Sequence, residues 1–343
     1  MKAIMLSKPQ KPELKELEDL VLDKPDWVKI KVRAVGLCGS DMQKINSSID
    51  PSAYLKTHIL GHEFSGEILE IGHQVKEIGL GDRVTASPLI SCSSCLPCQE
   101  GHYQLCYNIE SIGRTLPGAF SEQVLVPAKN IRRISNNITY EQAALTDLVA
   151  VAVHNYHLAG SPKGKEILIF GDGAVGLSCL QVYGQANNVD LVGKHHKHKV
   201  EQLGGRYIDA SVIRNLPDNS YDIIVETVGR EQNKTLSESI RLVRPQGKIV
   251  VAGVYASRYK GQFLFRDLFY KEVLLQGSNS YGYWSGRDEF SIALELIESG
   301  RFNTSEIITH VLPLTQFLEG VRFMNEKDKS RSVRVIYKPC DLE

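Results

Sequence analysis

Residues 165–176 read Lys-Glu-Ile-Leu-Ile-Phe-Gly-Asp-Gly-Ala-Val-Gly, and this stretch decides the fold of the second half of the chain. Its first six residues form a short apolar run, which is typical of a strand buried inside a parallel sheet. The three glycines then follow at G-x-G-x-x-G spacing, and residues 177–183 continue as a predicted helix. A strand, a glycine turn and a helix in this order predict a dinucleotide-binding turn.

Each position of this turn has an expected role. Gly171 permits the tight turn, Gly173 lets the backbone approach a pyrophosphate, and Gly176 lets the helix pack close to the strand. Ala174 and Val175 begin the helix, where free backbone N–H groups and a partial positive charge would face the phosphates. A glycine turn without a ligand is the alternative, but the flanking strand and helix favour the nucleotide site.

The end of the next predicted strand, at residues 189–192, bears on the choice between NAD and NADP. NAD binders carry an acid there that holds the ribose 2′-hydroxyl, whereas this chain continues with Gly193, Lys194 and further His and Lys residues. Because Lys194 or Lys197 would attract a 2′-phosphate, the pattern favours NADP(H). A solvated basic loop and adventitious metal binding by the histidines are alternatives. Asp190 could still serve as the ribose acid if the strand ends earlier.

Composition bounds the class of protein. The chain has 343 residues, in which 40 Lys and Arg residues balance 40 Asp and Glu residues. This length suggests two domains, and the neutral balance argues against a nucleic-acid binder. No window approaches the run of about 18 apolar residues that a membrane helix needs. The polar sequence after Leu6 argues against a secretory signal, so we expect a cytoplasmic protein.

The pattern of apolar residues changes along the chain. In the first half, short segments such as 27–32 and 64–69 alternate apolar and polar residues, as half-buried strands do. A helix is predicted over 139–158, and after residue 288 a helix over 289–299 and a strand over 332–337. Between these regions, strands are predicted at 165–170, 189–192, 221–226, 247–253 and 272–277. The helix-capable stretches between several of these strands predict a doubly wound parallel sheet.

Four of the 7 cysteines lie in one loop. Cys92, Cys95 and Cys98 are separated by two residues each, and Cys106 completes the group. Thiolates at such short spacing can wrap a tetrahedral zinc ion, and disulfides are rare in a reducing compartment. Four protein ligands would close the coordination sphere, so we predict a structural zinc site.

A second, more scattered group of candidate ligands precedes this loop. Cys38 lies in the stretch Gly-Leu-Cys-Gly-Ser-Asp, and His62 and Glu63 lie in Gly-His-Glu. Thiolate, imidazole and carboxylate together suit a zinc ion with one open position. Taken singly, Cys38 could be a buried thiol and His62 a core histidine. Asp41 could brace one of the ligands or cap its own loop.

Several motifs, taken in order, resemble those of one family. They are GLCGSD at 36–41, GHE at 61–63, GDRV at 81–84, the four-cysteine loop, GAFSEQ at 118–123 and the glycine turn at 171–176. Through them the chain resembles the zinc-dependent medium-chain alcohol dehydrogenases, in their polyol dehydrogenase branch, over essentially its whole length. Within that branch, residues 277–281 and 283–290 look like those of galactitol-1-phosphate dehydrogenases.

The resemblance implies a fold and a reaction. The fold would be α/β, with a GroES-like β-rich catalytic domain at 1–155 and 290–343 and a Rossmann domain with a doubly wound parallel sheet at 156–289. The cofactors would be one catalytic and one structural zinc ion and NADP or NAD, in a homodimer or homotetramer. The reaction would interconvert a secondary alcohol and a ketone by hydride transfer, with zinc as Lewis acid.

The resemblance also assigns roles to individual residues. Cys38, His62 and Glu63 match the ligands of the catalytic zinc, and Ser40 matches the first hydroxyl of the proton relay. Asp147 matches a further carboxylate near that metal, but it is one methylene shorter and the proline that follows it in the family is missing. A water-bridged role for Asp147 is therefore an alternative to direct contact with zinc.

The substrate implied by the resemblance is a polyol or a polyol phosphate. A phosphate would need a cationic partner, for which Lys44, Lys56, His58 and Arg114 are available in the first domain. One alternative is an NADPH-dependent reductase of a sugar phosphate or an aminocyclitol ketone. The Lys- and His-rich stretch at 193–199, called the basic tract below, favours this alternative. Another alternative is a non-catalytic dinucleotide-binding protein, which would have a broken metal site.

Overall fold

The computed structural model describes residues 1–49, 57–230, 233–255, 259–262 and 265–340. The chain forms two compact units, the first comprising Met1–Asp147 and Gly282–Glu343 and the second Leu148–Tyr281. The predicted domain boundaries, after residues 155 and 289, lie a little further along the chain than the limits of these units. In the described part of the chain, no helix combines the length and the apolar character needed to cross a bilayer.

The helices and strands are numbered in chain order. The strands are β1 (Lys2–Lys8), β2 (Lys11–Glu16), β3 (Trp27–Gly36), β4 (Glu63–Ile71), β5 (Arg83–Ala86), β6 (Leu89–Ile90), β7 (Glu110–Ser111), β8 (Gln123–Pro127), β9 (Ile131–Arg133), β10 (Glu166–Phe170), β11 (Asn188–Gly193), β12 (Arg206–Asp209), β13 (Tyr221–Glu226), β14 (Val243–Val251), β15 (Leu274–Gly277), β16 (Tyr283–Trp284), β17 (Arg287–Asp288), β18 (Ile308–Pro313) and β19 (Arg334–Lys338). The α-helices are α1 (Gly39–Ile45), α2 (Leu96–Gln99), α3 (Tyr140–Ala143), α4 (Thr146–Leu158), α5 (Ala174–Gly184), α6 (Lys197–Gln202), α7 (Lys234–Leu242), α8 (Phe265–Tyr270), α9 (Glu289–Glu298), α10 (Phe317–Asn325) and α11 (Lys327–Ser330).

The first unit is built around one mostly antiparallel sheet. Its strand order is β18-β19-β3-β4-β5-β9, and β8 also pairs with β3. The central strand β3 carries Val28, Ile30 and Val32, all fully buried in the core of this unit. Burying each such side chain contributes about 1.5–3 kcal/mol. Within this sheet β3 and β4 are paired from Val28 and Ile71 at one end to Gly36 and Glu63 at the other. The candidate metal ligands lie at the Gly36 and Glu63 end.

The second unit contains a six-stranded parallel sheet in the order β12-β11-β10-β13-β14-β15. The apolar run that precedes the glycine turn forms β10, and Ile167, Leu168 and Ile169 are fully buried. Consecutive strands run outward from β10 to one side as far as β12, and the chain then returns to the other side with β13. Such a reversal of strand order creates the ligand crevice of open α/β sheets. The predicted doubly wound parallel sheet is therefore present.

Two local predictions differ from the structure. The helix predicted over 139–158 is divided into α3 and α4, because the Thr146 hydroxyl donates to the Ala143 carbonyl at 2.7 Å and closes the end of α3. The strand β12 was not predicted at all. Its sequence, Arg-Tyr-Ile-Asp, buries only Ile208 and so lacks the apolar run that marks the other parallel strands.

Candidate active site

Two neighbouring strands bring the scattered candidate ligands together. Glu63 is the first residue of β4, and Gly36 at the end of β3 is its partner in the antiparallel register. Cys38 follows β3 and His62 precedes β4, so both lie at the same end of this pair of strands. One ligand atom from each of Cys38, His62 and Glu63 lies within 4.8 Å of the others.

Glycines permit this close approach. A Cβ atom built on Gly36 would lie 2.5 Å from Glu63 Oε2, so a larger residue would displace the carboxylate. Gly61 has φ +92° and its Cβ would lie 2.7 Å from the backbone nitrogen of Phe120. Only glycine adopts this left-handed conformation without strain. The glycines in the GLCGSD and GHE motifs therefore shape the group of candidate ligands.

Asp41 contacts the imidazole ring of His62 and accepts a hydrogen bond from the loop that carries Cys38. Its Oδ1 atom lies 3.4 Å from His62 Nδ1, and its Oδ2 atom accepts the backbone N–H of Cys38 at 3.2 Å. Burial works against a charged imidazole, but the charge of Asp41 raises the pKa of His62 well above its usual value. Burial also works against a thiolate, yet the hydrogen bond and charge of His62 lower the pKa of Cys38 to about 6.

A buried arginine, Arg334, which the sequence analysis did not identify, pairs with the carboxylate of Glu63. The side chains of Arg334 and Glu63 are only 2% and 1% exposed, and Arg334 Nη1 lies 3.3 Å from Glu63 Oε2. The same Nη1 atom donates to the Leu37 carbonyl at 2.9 Å. Burial raises the pKa of Glu63 to about 8, although the charge of Arg334 opposes this effect. The signal in the sequence was an arginine inside the apolar run that became β19.

The chemistry of this group fits a zinc ion. Sulfur, nitrogen and oxygen donors converge on one point, and three protein ligands are the number that a catalytic zinc site uses. Within the described residues, Glu63 Oε2 is buried and accepts no hydrogen bond. Arg334 Nη1 lies 3.3 Å from this oxygen without making a hydrogen bond to it. Because a buried carboxylate oxygen without a hydrogen bond is costly, coordination to a zinc ion would satisfy it.

The four cysteines of the other group also converge. One sulfur atom from each of Cys92, Cys95, Cys98 and Cys106 lies within 4.8 Å of the others. The backbone N–H groups of Cys92 and Asn108 donate to Cys106 Sγ at 3.3 and 3.4 Å. Hydrogen bonds from Ser94 and from backbone groups lower the pKa of Cys92 to about 5. Four converging sulfurs with such donors fit a closed tetrahedral zinc site.

Ser40 and Asp147, two other predicted residues of the first unit, are not among the three converging candidate ligands Cys38, His62 and Glu63. Ser40 lies half-buried in the first turn of α1, two positions after Cys38. Asp147 lies half-buried in the first turn of α4, and the group of three candidate ligands does not include it. The roles predicted for Ser40 and Asp147 stay predictions.

The four cationic candidates for a phosphate contact lie in different settings. Lys44 Nζ donates to the carbonyl of Gly113 at 3.4 Å, and Gly113 packs against the backbone of Gly61, next to His62. His58 Nδ1 lies 3.0 Å from a backbone carbonyl, and Arg114 is exposed. Lys56 lies outside the described residues.

The glycine turn of the second unit has the predicted geometry. Gly171 has φ +104°, and its N–H donates to the Val192 carbonyl at 2.9 Å. A Cβ on Gly176 would overlap the carbonyl oxygen of Gly171, so the helix α5 packs directly on the turn. A Cβ on Gly173 would meet nothing within 4 Å, which leaves space above the backbone at the start of α5, at Ala174.

β11 ends too late in the chain for Asp190 to be its last residue, which the alternative role of Asp190 required. β11 extends to Gly193, so Asp190 lies inside the strand, where its carboxylate accepts Arg206 Nε at 2.8 Å and the Tyr221 hydroxyl at 2.6 Å. The suggestion that Asp190 holds the ribose is therefore wrong, because its carboxylate is already engaged within the sheet. Gly193 is buried, and the side chain of Lys194 is exposed.

Comparisons with known proteins give matches in both halves of the chain. The family model of the alcohol dehydrogenase GroES-like domain matches residues 24–136, and that of the zinc-binding dehydrogenases matches residues 175–299. L-threonine 3-dehydrogenase of Pyrococcus horikoshii is 30% identical, over 90% of this chain and 91% of the relative. The chain belongs to the zinc-dependent medium-chain alcohol dehydrogenase family. The predicted family, fold class and dehydrogenase activity are thereby confirmed.

Two further similarities concern branch and cofactor. Galactitol 1-phosphate 5-dehydrogenase of Escherichia coli K12 is 28% identical, over 87% of this chain and 88% of the relative. A solved structure described as a zinc-binding dehydrogenase from Sinorhizobium meliloti 1021 bound to NADP has a TM-score of 0.89 and 26% identity, and the match covers 98% of this chain and 99% of that one. Within the family, this dehydrogenase falls in the polyol dehydrogenase branch, and the predicted cofactors, zinc and NAD or NADP, agree with the findings.

Proposed function

We propose that this dehydrogenase interconverts a secondary alcohol of a polyol or polyol phosphate and the corresponding ketone, using a nicotinamide dinucleotide. The observation that carries the proposal is the convergence of Cys38, His62 and Glu63, whose ligand atoms lie within 4.8 Å of one another. The polyol-phosphate relative described above supports the substrate class. The glycine turn, with its open space above Gly173, supports the cofactor class.

In this proposal Cys38, His62 and Glu63 hold the catalytic zinc, and the four-cysteine group holds a structural zinc. When bound, zinc supplies a Lewis acid for the substrate oxygen, and the nicotinamide supplies the hydride acceptor or donor. Asp41 fixes the orientation of the His62 ring through the 3.4 Å contact with Nδ1. Ser40, in the first turn of α1, accepts the proton of the substrate hydroxyl and passes it toward solvent.

The phosphate of a polyol phosphate would contact Lys44. Its ammonium group donates to the Gly113 carbonyl, and Gly113 packs on Gly61, the residue before His62. This contact puts a positive charge beside the loop of a candidate zinc ligand. A hydroxy amino acid is a second candidate substrate, because the L-threonine 3-dehydrogenase relative is 30% identical to the chain.

A metal and substrate assay tests the proposal. Metal analysis should find two zinc ions per chain, and a panel of polyols, their phosphates and L-threonine should show turnover with NAD or NADP for a polyol or its phosphate. Cys38→Ser should lose one zinc ion and nearly all turnover while it still binds the dinucleotide. Cys340→Ser is the matched control, because that thiol is also half-buried but lies outside both metal groups. Full turnover in the Cys38→Ser variant would contradict the proposal.

We also propose that the chain self-associates and works in a reducing, cytoplasmic setting. β15 is an edge strand whose Leu274 and Leu275 are 51% and 37% exposed, and Phe269 on α8 is 74% exposed. Exposed apolar groups along a sheet edge are typical of an association surface. All seven cysteines are free thiols, which supports the reducing setting. Leu274→Lys should reduce the mass measured by light scattering, whereas an unchanged mass would remove this surface from consideration.

A further inference from the structure

The carboxylate of Asp172 lies at the end of β11. Asp172 is the second residue of the glycine turn and is only 6% exposed. Its Oδ2 atom accepts three consecutive backbone N–H groups, those of Lys194 at 2.9 Å, His195 at 2.6 Å and His196 at 2.8 Å. A carboxylate oxygen that accepts three such hydrogen bonds is held in one position. A fixed negative charge therefore stands between the glycine turn and the loop after β11.

This carboxylate occupies the place of a missing side chain. Gly193 is the last residue of β11, the position at which NAD binders carry the acid that holds the ribose. A Cβ built on Gly193 would lie 2.5 Å from Cγ of Asp172. The carboxylate of Asp172 thus lies where the side chain of a strand-end acid would begin. Gly193 has no positive φ, so close packing against Asp172, and not backbone strain, excludes a larger residue there.

The backbone of the basic tract has no N–H group left over at residues 194–196 for a phosphate. The N–H groups of residues 194–196 are directed to Asp172, so they are engaged before a nucleotide arrives. The side chains of Lys194, His195 and Lys197 are exposed, and Lys197 Nζ lies 3.8 Å from a carboxylate oxygen of Glu201. A 2′-phosphate at the end of β11 would therefore meet an anion whose amide donors are already used.

We propose that Asp172 takes the role of the strand-end acid and makes this dehydrogenase prefer NAD(H) over NADP(H). Its Oδ1 atom accepts the hydrogen bond of the ribose 2′-hydroxyl, and its charge repels a 2′-phosphate. The inference rests on the proposed function, since it requires the glycine turn to bind a dinucleotide. It reverses the expectation of NADP that Lys194 and Lys197 suggested in the sequence.

Binding measurements test the inference without relying on turnover. Isothermal titration of the purified, zinc-containing protein with NADH and with NADPH should show NADH bound at least about tenfold more tightly, the size expected for one hydrogen bond to a charged group. Asp172→Ala should reduce that ratio at least about tenfold. Adding Gly193→Asp to Asp172→Ala should restore the preference, because the space for the new side chain has been vacated. Gly193→Asp alone should weaken binding of both dinucleotides.

The possible results separate the alternatives. A preference of the unaltered protein for NADPH would overturn the inference. An unchanged ratio in Asp172→Ala would also overturn it, because a carboxylate that only anchors the loop would affect both dinucleotides equally. If Asp172→Ala fails to fold, Asp172→Asn keeps the shape without the charge, and the same shift in the ratio is expected. Binding of neither dinucleotide by the unaltered protein would refute the proposed function, and the inference with it.

Discussion

Replacing Arg334 with Met tests the buried charge pair beside the candidate zinc ligands. Arg334 Nη1 lies 3.3 Å from Glu63 Oε2, and the two side chains are 2% and 1% exposed. Without Arg334 the buried Glu63 carboxyl must either carry an uncompensated charge or take up a proton, and breaking a buried ion pair in this way costs about 3–5 kcal/mol. The Leu37 carbonyl also loses its donor at 2.9 Å. We therefore expect the free energy of unfolding of the first unit to fall by about 3–5 kcal/mol.

A double variant separates the lost charge from lost packing. Glu63→Gln in the Arg334→Met background removes the unpaired carboxylate, so it should recover about 2 kcal/mol. Urea unfolding followed by tryptophan fluorescence reports on the first unit, because both Trp27 and Trp284 lie in it. A weak chelator keeps bound zinc from stabilising the variants unequally. A loss below about 1 kcal/mol in Arg334→Met, or a double variant no more stable than the single one, would refute the reasoning.

Three further substitutions have distinct expected outcomes. Cys92→Ser should cost one zinc ion per chain by metal analysis and lower the unfolding temperature, because a structural zinc contributes folding energy. Lys44→Met should raise KM for a polyol phosphate by about tenfold, with little change for the unphosphorylated polyol, since only the phosphate needs the ammonium group. Gly176→Ala should abolish NADH binding measured by nicotinamide fluorescence, because its Cβ would overlap the Gly171 carbonyl oxygen, whereas Gly184→Ala in open space on the same helix should bind normally.

Features that are local in the sequence could be predicted. The four cysteines lie in one loop, and the glycine turn follows its strand directly, so spacing alone indicated their chemistry. The group of Cys38, His62 and Glu63 needed the resemblance to a family, since each residue alone has an ordinary structural explanation. Its convergence depends on the register that pairs Gly36 with Glu63. That register follows from the packing of two strands and is not encoded at any one position.

Features that depend on distant segments could not be predicted. Arg334 contacts Leu37, which lies 297 positions away in the chain, and no local pattern specifies this contact. Asp172 occupies a position of the glycine turn that the spacing leaves open, and its role depends on where β11 ends. The end of β11 also decided the outcome for Asp190. Position along a strand changes which groups a carboxylate can reach, and sequence patterns fix strand ends only to within a few residues.

The pairing of β19 with β3 has a consequence for the order of events on the ribosome. Tyr337 and Ile336 pair with Val35 and Gly36, so the neighbour of an early strand is synthesised after the whole second unit. When Glu63 leaves the ribosome, Arg334, whose guanidinium pairs with the Glu63 carboxylate, has not yet been synthesised. Domains usually fold as units during synthesis, and here the second unit can do so while the first waits for its final strand. If Cys38, His62 and Glu63 hold zinc as proposed, we expect them to bind it only after β19 has joined the sheet.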